Sequence, residues 1–254
     1  MISLLSKNEI QIEKLVEMSG EQLRSVPTVL LSRGRIPHVL AMLNRPESAA
    51  AEQYRLLAHT LEKLSAEGPG ITIGVSSAVQ GEGKTVTSLN LAFALAETRA
   101  RNILLVDADF RGGRVAEILG LGELLGLTNV LQGQKAVVDV LRRIDKNLTV
   151  LPGGTPTAHP VGMIRSAAWR SLVTSLRNHF DCILFDCPPV CVSDEISVLG
   201  DVIDKFVLVV RSGLSRQESV KDALAKISGG KMVGFVLNDA TASGDLHRTY
   251  NRDF

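Results

Sequence analysis

Residues Ala78 to Thr85, AVQGEGKT, close a β-branched run and open a helical pattern, and their side-chain types suit one task. Gly81 and Gly83 let the backbone curl so that successive N–H groups point at phosphate oxygens, and the helix behind them adds its positive N-terminal end. Lys84 reaches the outer phosphates of a nucleoside triphosphate, and Thr85 offers a hydroxyl to Mg2+. The pattern is AxxxxGKT, a Walker A loop with alanine in place of the leading glycine. Its position after a strand and before a helix separates it from a glycine-rich turn that binds nothing.

Two further apolar runs end in carboxylates. "ILLVDADFR" puts Asp107 and Asp109 past one run, and "CILFDCPP" puts Asp186 past another. Any one of these alone reads as a helix cap or a turn residue. Three at the edge that carries a phosphate-loop lysine point instead to metal and proton work. Mg2+ takes oxygen ligands, often through water, and phosphoryl transfer needs a carboxylate to accept the proton of an attacking hydroxyl or to orient a water. The cysteines, Cys182, Cys187 and Cys191, are odd in number and crowded at one strand end, which disfavours a disulfide framework. The histidines are scattered with no metal-ligand spacing, which argues against a His/Cys metal cage.

Six runs read as buried strands: "ITIGVSS", "NILLVDAD", "LTVLPGG", "CILFDCPP", "KFVLVVRSG" and "MVGFVLND". Between most of them lie segments with apolar residues at helical spacing, such as Val86, Leu89 and Phe93. Alternation of this kind predicts an α/β fold with a doubly wound, mainly parallel sheet, whose ligands bind at the C-terminal strand ends. The carboxylates and the phosphate loop fall at those ends. Upstream, residues 9–18 suit a short amphipathic helix, and Pro27, Pro37 and Pro46 break the following stretch into a connector. A longer helix is expected from about Glu47 to Ala66, stopped by "EGPG". The expected organisation is an extension and linker over residues 1–46, a nucleotide-binding domain over 47–240 and a polar tail over 241–254.

A formal net charge of +1 gives no footprint for nucleic acid. No apolar run approaches the roughly 18 residues that a membrane span needs, and the N-terminal stretch lacks the form of a signal peptide, so a cytoplasmic chain is expected.

Together, "SSAVQGEGKT", "LLVDADFR" and "FDCILFDCPPV", in this order, resemble the Walker A, A′ and B motifs of the bacterial tyrosine kinases (BY-kinases) of capsule and exopolysaccharide synthesis. The resemblance covers roughly residues 47–240 and extends to the "VLPGG" and "GFVLN" strands. It implies a P-loop fold of the MinD/ParA type. Partition ATPases of that group carry a second lysine near the start of the loop. Val79 stands in the corresponding place here, which favours the kinase branch.

By the same resemblance, Gly81, Glu82, Gly83, Lys84, Thr85 and Val86 would hold the phosphates of ATP, and Thr85 would serve Mg2+. Asp107 would activate the acceptor hydroxyl, Asp109 and Asp186 would join the metal directly or through water, and Asn238 would lie near the adenine. Asp107 stands among the metal candidates as well. Arg111 would steady the γ phosphate or structure its loop. The implied activity is tyrosine autophosphorylation between copies of a homo-oligomer. The implied partner is a membrane-bound polysaccharide co-polymerase or chain-length regulator, which would hold the kinase at the inner face of the membrane.

The sequence departs from the family at two places. An assembly helix with ExxRxxR is expected, and Glu52 and Arg55 fit it, but Ala58 takes the third position. A tyrosine-rich tail is also expected, and only Tyr54 and Tyr250 exist. Tyr250 is the candidate phosphoacceptor, and Tyr54 is expected to be packed. These departures keep open an ATP-binding switch without kinase activity; a partition-type ATPase is a lower alternative, set back by Val79.

Overall fold

The computed structural model describes residues 15–32, 36–64, 70–97, 101–227 and 229–240. Tyr250, the rest of the tail and most of the expected helix over 9–18 lie outside them. A seven-stranded sheet runs in the order β3-β4-β2-β5-β1-β6-β7. Its strands are β1 (Ile71–Ser77), β2 (Ile103–Asp107), β3 (Arg142–Asp145), β4 (Leu148–Leu151), β5 (Cys182–Asp186), β6 (Lys205–Arg211) and β7 (Met232–Asn238). All neighbouring strands are parallel except β3, which is antiparallel to β4. The longer helices are α1 (Ala49–Leu64), α2 (Lys84–Glu97), α3 (Ala167–Arg177) and α4 (Gln217–Lys226).

Every residue of β1, β2 and β5 is buried, as expected of parallel strands covered on both faces. Two apolar clusters form, one on each face. The first contains Trp169, Leu172, Phe185 and Leu208, and the second contains Leu61, Leu89, Leu105 and Val207. Helix α2 is buried from Leu89 through Ala96, which explains why its sequence is apolar nearly all round. Helix α1 begins after Ser48, whose hydroxyl accepts from the Ala51 N–H at 3.2 Å. Its Ala51, Ala58 and Leu61 face the second cluster, and half-buried Tyr54 packs against it.

Strand β3 has no counterpart among the six expected runs. Its Arg-Arg-Ile-Asp holds one apolar residue, so periodicity is silent, and its pairing comes from the turn back into β4. The proline-broken connector then seals this edge: Arg143 donates to Pro27 O at 3.0 Å and Val29 donates to Arg143 O at 2.8 Å. Charged side chains and a short length keep such an edge from recruiting other strands. Farther along, buried Asn90 of α2 pins the connector, accepting from Met42 N at 3.1 Å and donating to Val39 O at 3.1 Å.

Strand β1 lies between β5 and β6, and the chain proceeds to β2 on one side and to β6 on the other. The crevice at this reversal is where an open α/β sheet binds ligands. Gly74, in the middle of β1, permits close packing there. A Cβ on Gly74 would sit 2.5 Å from the buried Phe206 ring, whereas one on Gly234 in β7 meets nothing within 4 Å among the described residues. Gly74→Ala is therefore expected to lower stability in a urea melt by about 1–3 kcal/mol. Gly234→Ala should leave it unchanged or raise it by up to about 1 kcal/mol.

Candidate functional site

The parallel register sets Asp107 beside Asp186 at the C-terminal ends of β2 and β5. The Ala108 N–H donates to Asp186 O at 2.9 Å, fixing one strand end against the other. Between β1 and α2, Gly81 and Gly83 take φ values of 86° and 95°, the left-handed region that glycine enters freely. Gly83 has a second reason to be glycine, because a Cβ there would stand 2.1 Å from Asn238 Nδ2. The loop after β5 runs beside the loop after β1: Cys191 N donates to Ala78 O at 3.0 Å, and Ser76 Oγ donates to Pro188 O at 2.6 Å.

Lys84, the first residue of α2, donates to Asp109 Oδ2 at 2.8 Å. Burial works against its ammonium, but the charges of Asp186, Asp109 and Asp107 outweigh burial and hold its pKa above the ordinary lysine value. Ser88, one turn on, donates to Asp186 Oδ1 at 3.0 Å. Among the described residues, the buried Asp186 Oδ2 has no hydrogen-bond partner. Burial pushes this carboxyl upward against the opposing pull of Lys84. Asp107 accepts from Val115 N at 3.1 Å and Asp109 N at 3.3 Å, and burial beside Asp186 raises its carboxyl to about 8.

These groups suit Mg2+. The orphaned Asp186 oxygen is a buried acceptor in want of a cation, and Thr85 and the neighbouring carboxylates are hard oxygen donors. Among the described residues no three acidic, histidine or cysteine side chains converge as a ready-made cage. Magnesium ordinarily needs none, taking one or two carboxylates and completing its shell with water and phosphate.

Of the residues singled out from sequence, Lys84, Asp107, Asp109 and Asp186 are drawn together, and Thr85, next in α2, lies against Asp186. Val86 lies within the first turn of that helix. Asn238 touches the loop from β7, donating to Glu82 O at 2.9 Å. Arg111 turns elsewhere: its Nε donates to Glu195 Oε1 at 2.9 Å, so it braces the loop after β5. Sequence reasoning passed over Ser88 and Gly113. A Cβ on Gly113 would meet Asp107 Oδ1 at 2.3 Å, so the "RGGR" that follows Asp109 lets the chain pass the carboxylate. The paired glycines were the available signal. Behind the site, Trp169 packs edge-on to Phe110 at 6.3 Å and Phe185 at 5.8 Å, linking the residues adjacent to Asp109 and Asp186. The three cysteines are free thiols.

A doubly wound sheet with a phosphate loop at its reversal point and carboxylates on the adjoining strand ends defines a P-loop nucleotide-binding protein. A family model described as an AAA domain matches residues 71–210. The chain is 32% identical over 205 residues to the tyrosine-protein kinase YwqD of Bacillus subtilis, covering 79% of this chain and 85% of that one. The solved VpsO kinase domain is 26% identical with a TM-score of 0.69, over 77% of this chain and 98% of that one. MinD of Pyrococcus horikoshii, solved with Mg-ADP, is 26% identical with a TM-score of 0.55, over 66% of this chain and 69% of that one. The chain belongs to the bacterial tyrosine-kinase family within the MinD/ParA-type P-loop ATPases.

The Asp107 carboxyl has a consequence for stability. Below 3.8 it is protonated in folded and unfolded chains alike, and between there and about 8 the unfolded chain sheds its proton while the fold retains it. The stability this group contributes is thus lost as pH rises through that window. In Mg2+-free denaturant melts, the difference between wild type and Asp107→Asn is expected to move against wild type as pH climbs toward 8, with Asp107→Asn lacking this decline.

Proposed function

We propose that the protein is an ATP- and Mg2+-dependent protein tyrosine kinase that phosphorylates Tyr250 between copies and regulates exopolysaccharide or capsule assembly. The observation that carries this reading is the convergence of Lys84, Asp107, Asp109 and Asp186 at the mouth of a phosphate loop. A nucleotide-dependent scaffold has no need of three such carboxylates. The residues 47–240 form the catalytic unit in this reading, preceded by a docking extension and followed by the acceptor tail.

Lys84 exchanges Asp109 for the outer phosphates, and the loop amides with the α2 terminus hold the phosphate chain. Thr85 and Asp186, with Asp109 through water, would hold Mg2+, which when bound draws charge from the phosphoryl oxygens. Asp107 takes the proton of the acceptor phenol. A carboxylate whose pKa is displaced upward by burial is matched to that task near neutral pH. The phenol oxygen bonds to the γ phosphorus, the bond to the ADP oxygen breaks, and phosphotyrosine and ADP leave. The added phosphate carries about −1.5 to −2 of charge, which favours release of the tail from an acidic site.

No helix among the described residues is long and apolar enough to cross a membrane. In this reading a membrane-bound polysaccharide co-polymerase holds the kinase at the inner membrane face. A second reading, an ATP-dependent switch of the same assembly without kinase activity, draws on α1. Arg55 there is held by its own chain, donating to Glu97 at 2.7 Å, and Ala58 faces the core.

Purified protein incubated with Mg2+ and γ-labelled ATP distinguishes the two. Wild type is expected to take up label, and Tyr250→Phe and Lys84→Met are expected to take up none. Nucleotide binding without labelling, even with a partner's cytoplasmic segment present, supports the switch; label persisting in Tyr250→Phe overturns the acceptor. Gly113→Ala, which must displace the Asp107 carboxylate, should slow labelling on the order of a hundredfold.

A further inference from the structure

Glu82 stands between the two loop glycines, and its carboxylate is fully buried. Oε2 accepts from the Val79 N–H at 2.8 Å, closing the loop on itself, and Oε1 accepts from the Ser215 hydroxyl. Ser215 Oγ in turn accepts from Arg211 N at 2.8 Å, at the end of β6. The main chain is tied to the same rim: Asn238 Nδ2 donates to Glu82 O at 2.9 Å, and Arg211 donates to Gly81 O at 3.2 Å. Arg211 is itself steadied by Asp239 at 2.9 Å.

A buried carboxylate near a polyphosphate site is electrostatically unfavourable for an anionic ligand, and it costs desolvation even when empty of ligand. Here it is stabilised by charge-assisted hydrogen bonds from two separate segments. The Val79 N–H is spent inside the loop, on the Glu82 carboxylate. Each contact is one that a side chain aimed at the nucleotide would lack.

We propose that the Glu82 side chain has a positioning role: it holds the phosphate loop in its binding curvature and fixes it to the ends of β6 and β7, setting nucleotide affinity without itself touching nucleotide. This rests on the reading of residues 78–85 as the nucleotide loop. A loop held in shape before ligand arrives loses less entropy on binding. Glutamine can reproduce the arrangement, its amide oxygen accepting from Val79 N–H and its amide nitrogen donating to Ser215 Oγ. Alanine cannot, and leaves both donors without their buried acceptor.

The test measures affinity of the full chain for a fluorescent methylanthraniloyl-ADP with Mg2+ in wild type, Glu82→Gln, Glu82→Ala and Ser215→Ala. Glu82→Ala is expected to bind about tenfold more weakly or worse, with Glu82→Gln recovering most of the loss. Ser215→Ala should weaken binding in the same direction by less, and adding it to Glu82→Ala should cost little more, since the two act as one contact. Glu82→Gln as weak as Glu82→Ala overturns the proposal by showing that the charge itself is used. Wild-type affinity in both Glu82→Ala and Ser215→Ala overturns it equally. Should Glu82→Ala fail to fold, wild-type affinity in Ser215→Ala decides against the proposal and weakened binding there decides for it. A wild type that binds no probe removes the nucleotide reading itself and the proposal with it, an outcome distinct from the others.

Discussion

Two carboxylates, Asp107 and Asp186, end adjacent parallel strands in register, buried and side by side. Burial leaves both poorly solvated, and the charge of Asp186 adds to this at Asp107, so both carboxyls are displaced upward from the ordinary range. Much of the surrounding structure offsets this. Lys84 lies among them as the first residue of a buried helix, Ser88 supplies a hydroxyl, and the Val115 and Asp109 amides supply N–H groups. The offset is incomplete, because among the described residues one oxygen of Asp186 has no hydrogen-bond partner. A site that keeps an unpaired buried acceptor beside a phosphate loop has a place for a cation.

The close approach of the acidic strand ends constrains the chain elsewhere. Gly113 must pass Asp107 with no side chain, and Gly83 must pass Asn238 likewise. Trp169 fills the space behind Phe110 and Phe185, so the loops that carry Asp109 and Asp186 rest on one aromatic cluster. Helix α3, which delivers Trp169, is capped by Ser166, whose hydroxyl accepts from Trp169 N at 3.1 Å. Packing remote from the chemistry therefore fixes the separation of groups within it.

Much of this was legible from local sequence. Strands buried on both faces are apolar throughout, and Lys84, Asp107, Asp109 and Asp186 after them are informative as a set, since any one aspartate alone also suits a helix cap. Strand β3 was not legible, because Arg142 and Arg143 give no alternation and the partners of Arg143 at Pro27 and Val29 are remote in sequence. Ser88 reads as an ordinary helix residue until the fold brings it to Asp186, 98 residues away. For Arg111 the sequence leaves two roles open, and its contact with Glu195 lies 84 residues on. The Glu82 carboxylate accepts from Ser215, 133 residues away, a contact with no local trace. Charge and spacing identify which groups meet a ligand, while the contacts that orient them are long-range and carry no local pattern.

If the unpaired Asp186 oxygen and its neighbours make nucleotide binding depend on magnesium, the dependence is readable by calorimetric titration of ATP into wild type and Asp186→Asn, with and without Mg2+. Mg2+ is then expected to strengthen binding to wild type, and Asp186→Asn to lose that gain while still binding metal-free nucleotide. Equal affinity with and without Mg2+ in wild type, or an undiminished Mg2+ effect in Asp186→Asn, would contradict it.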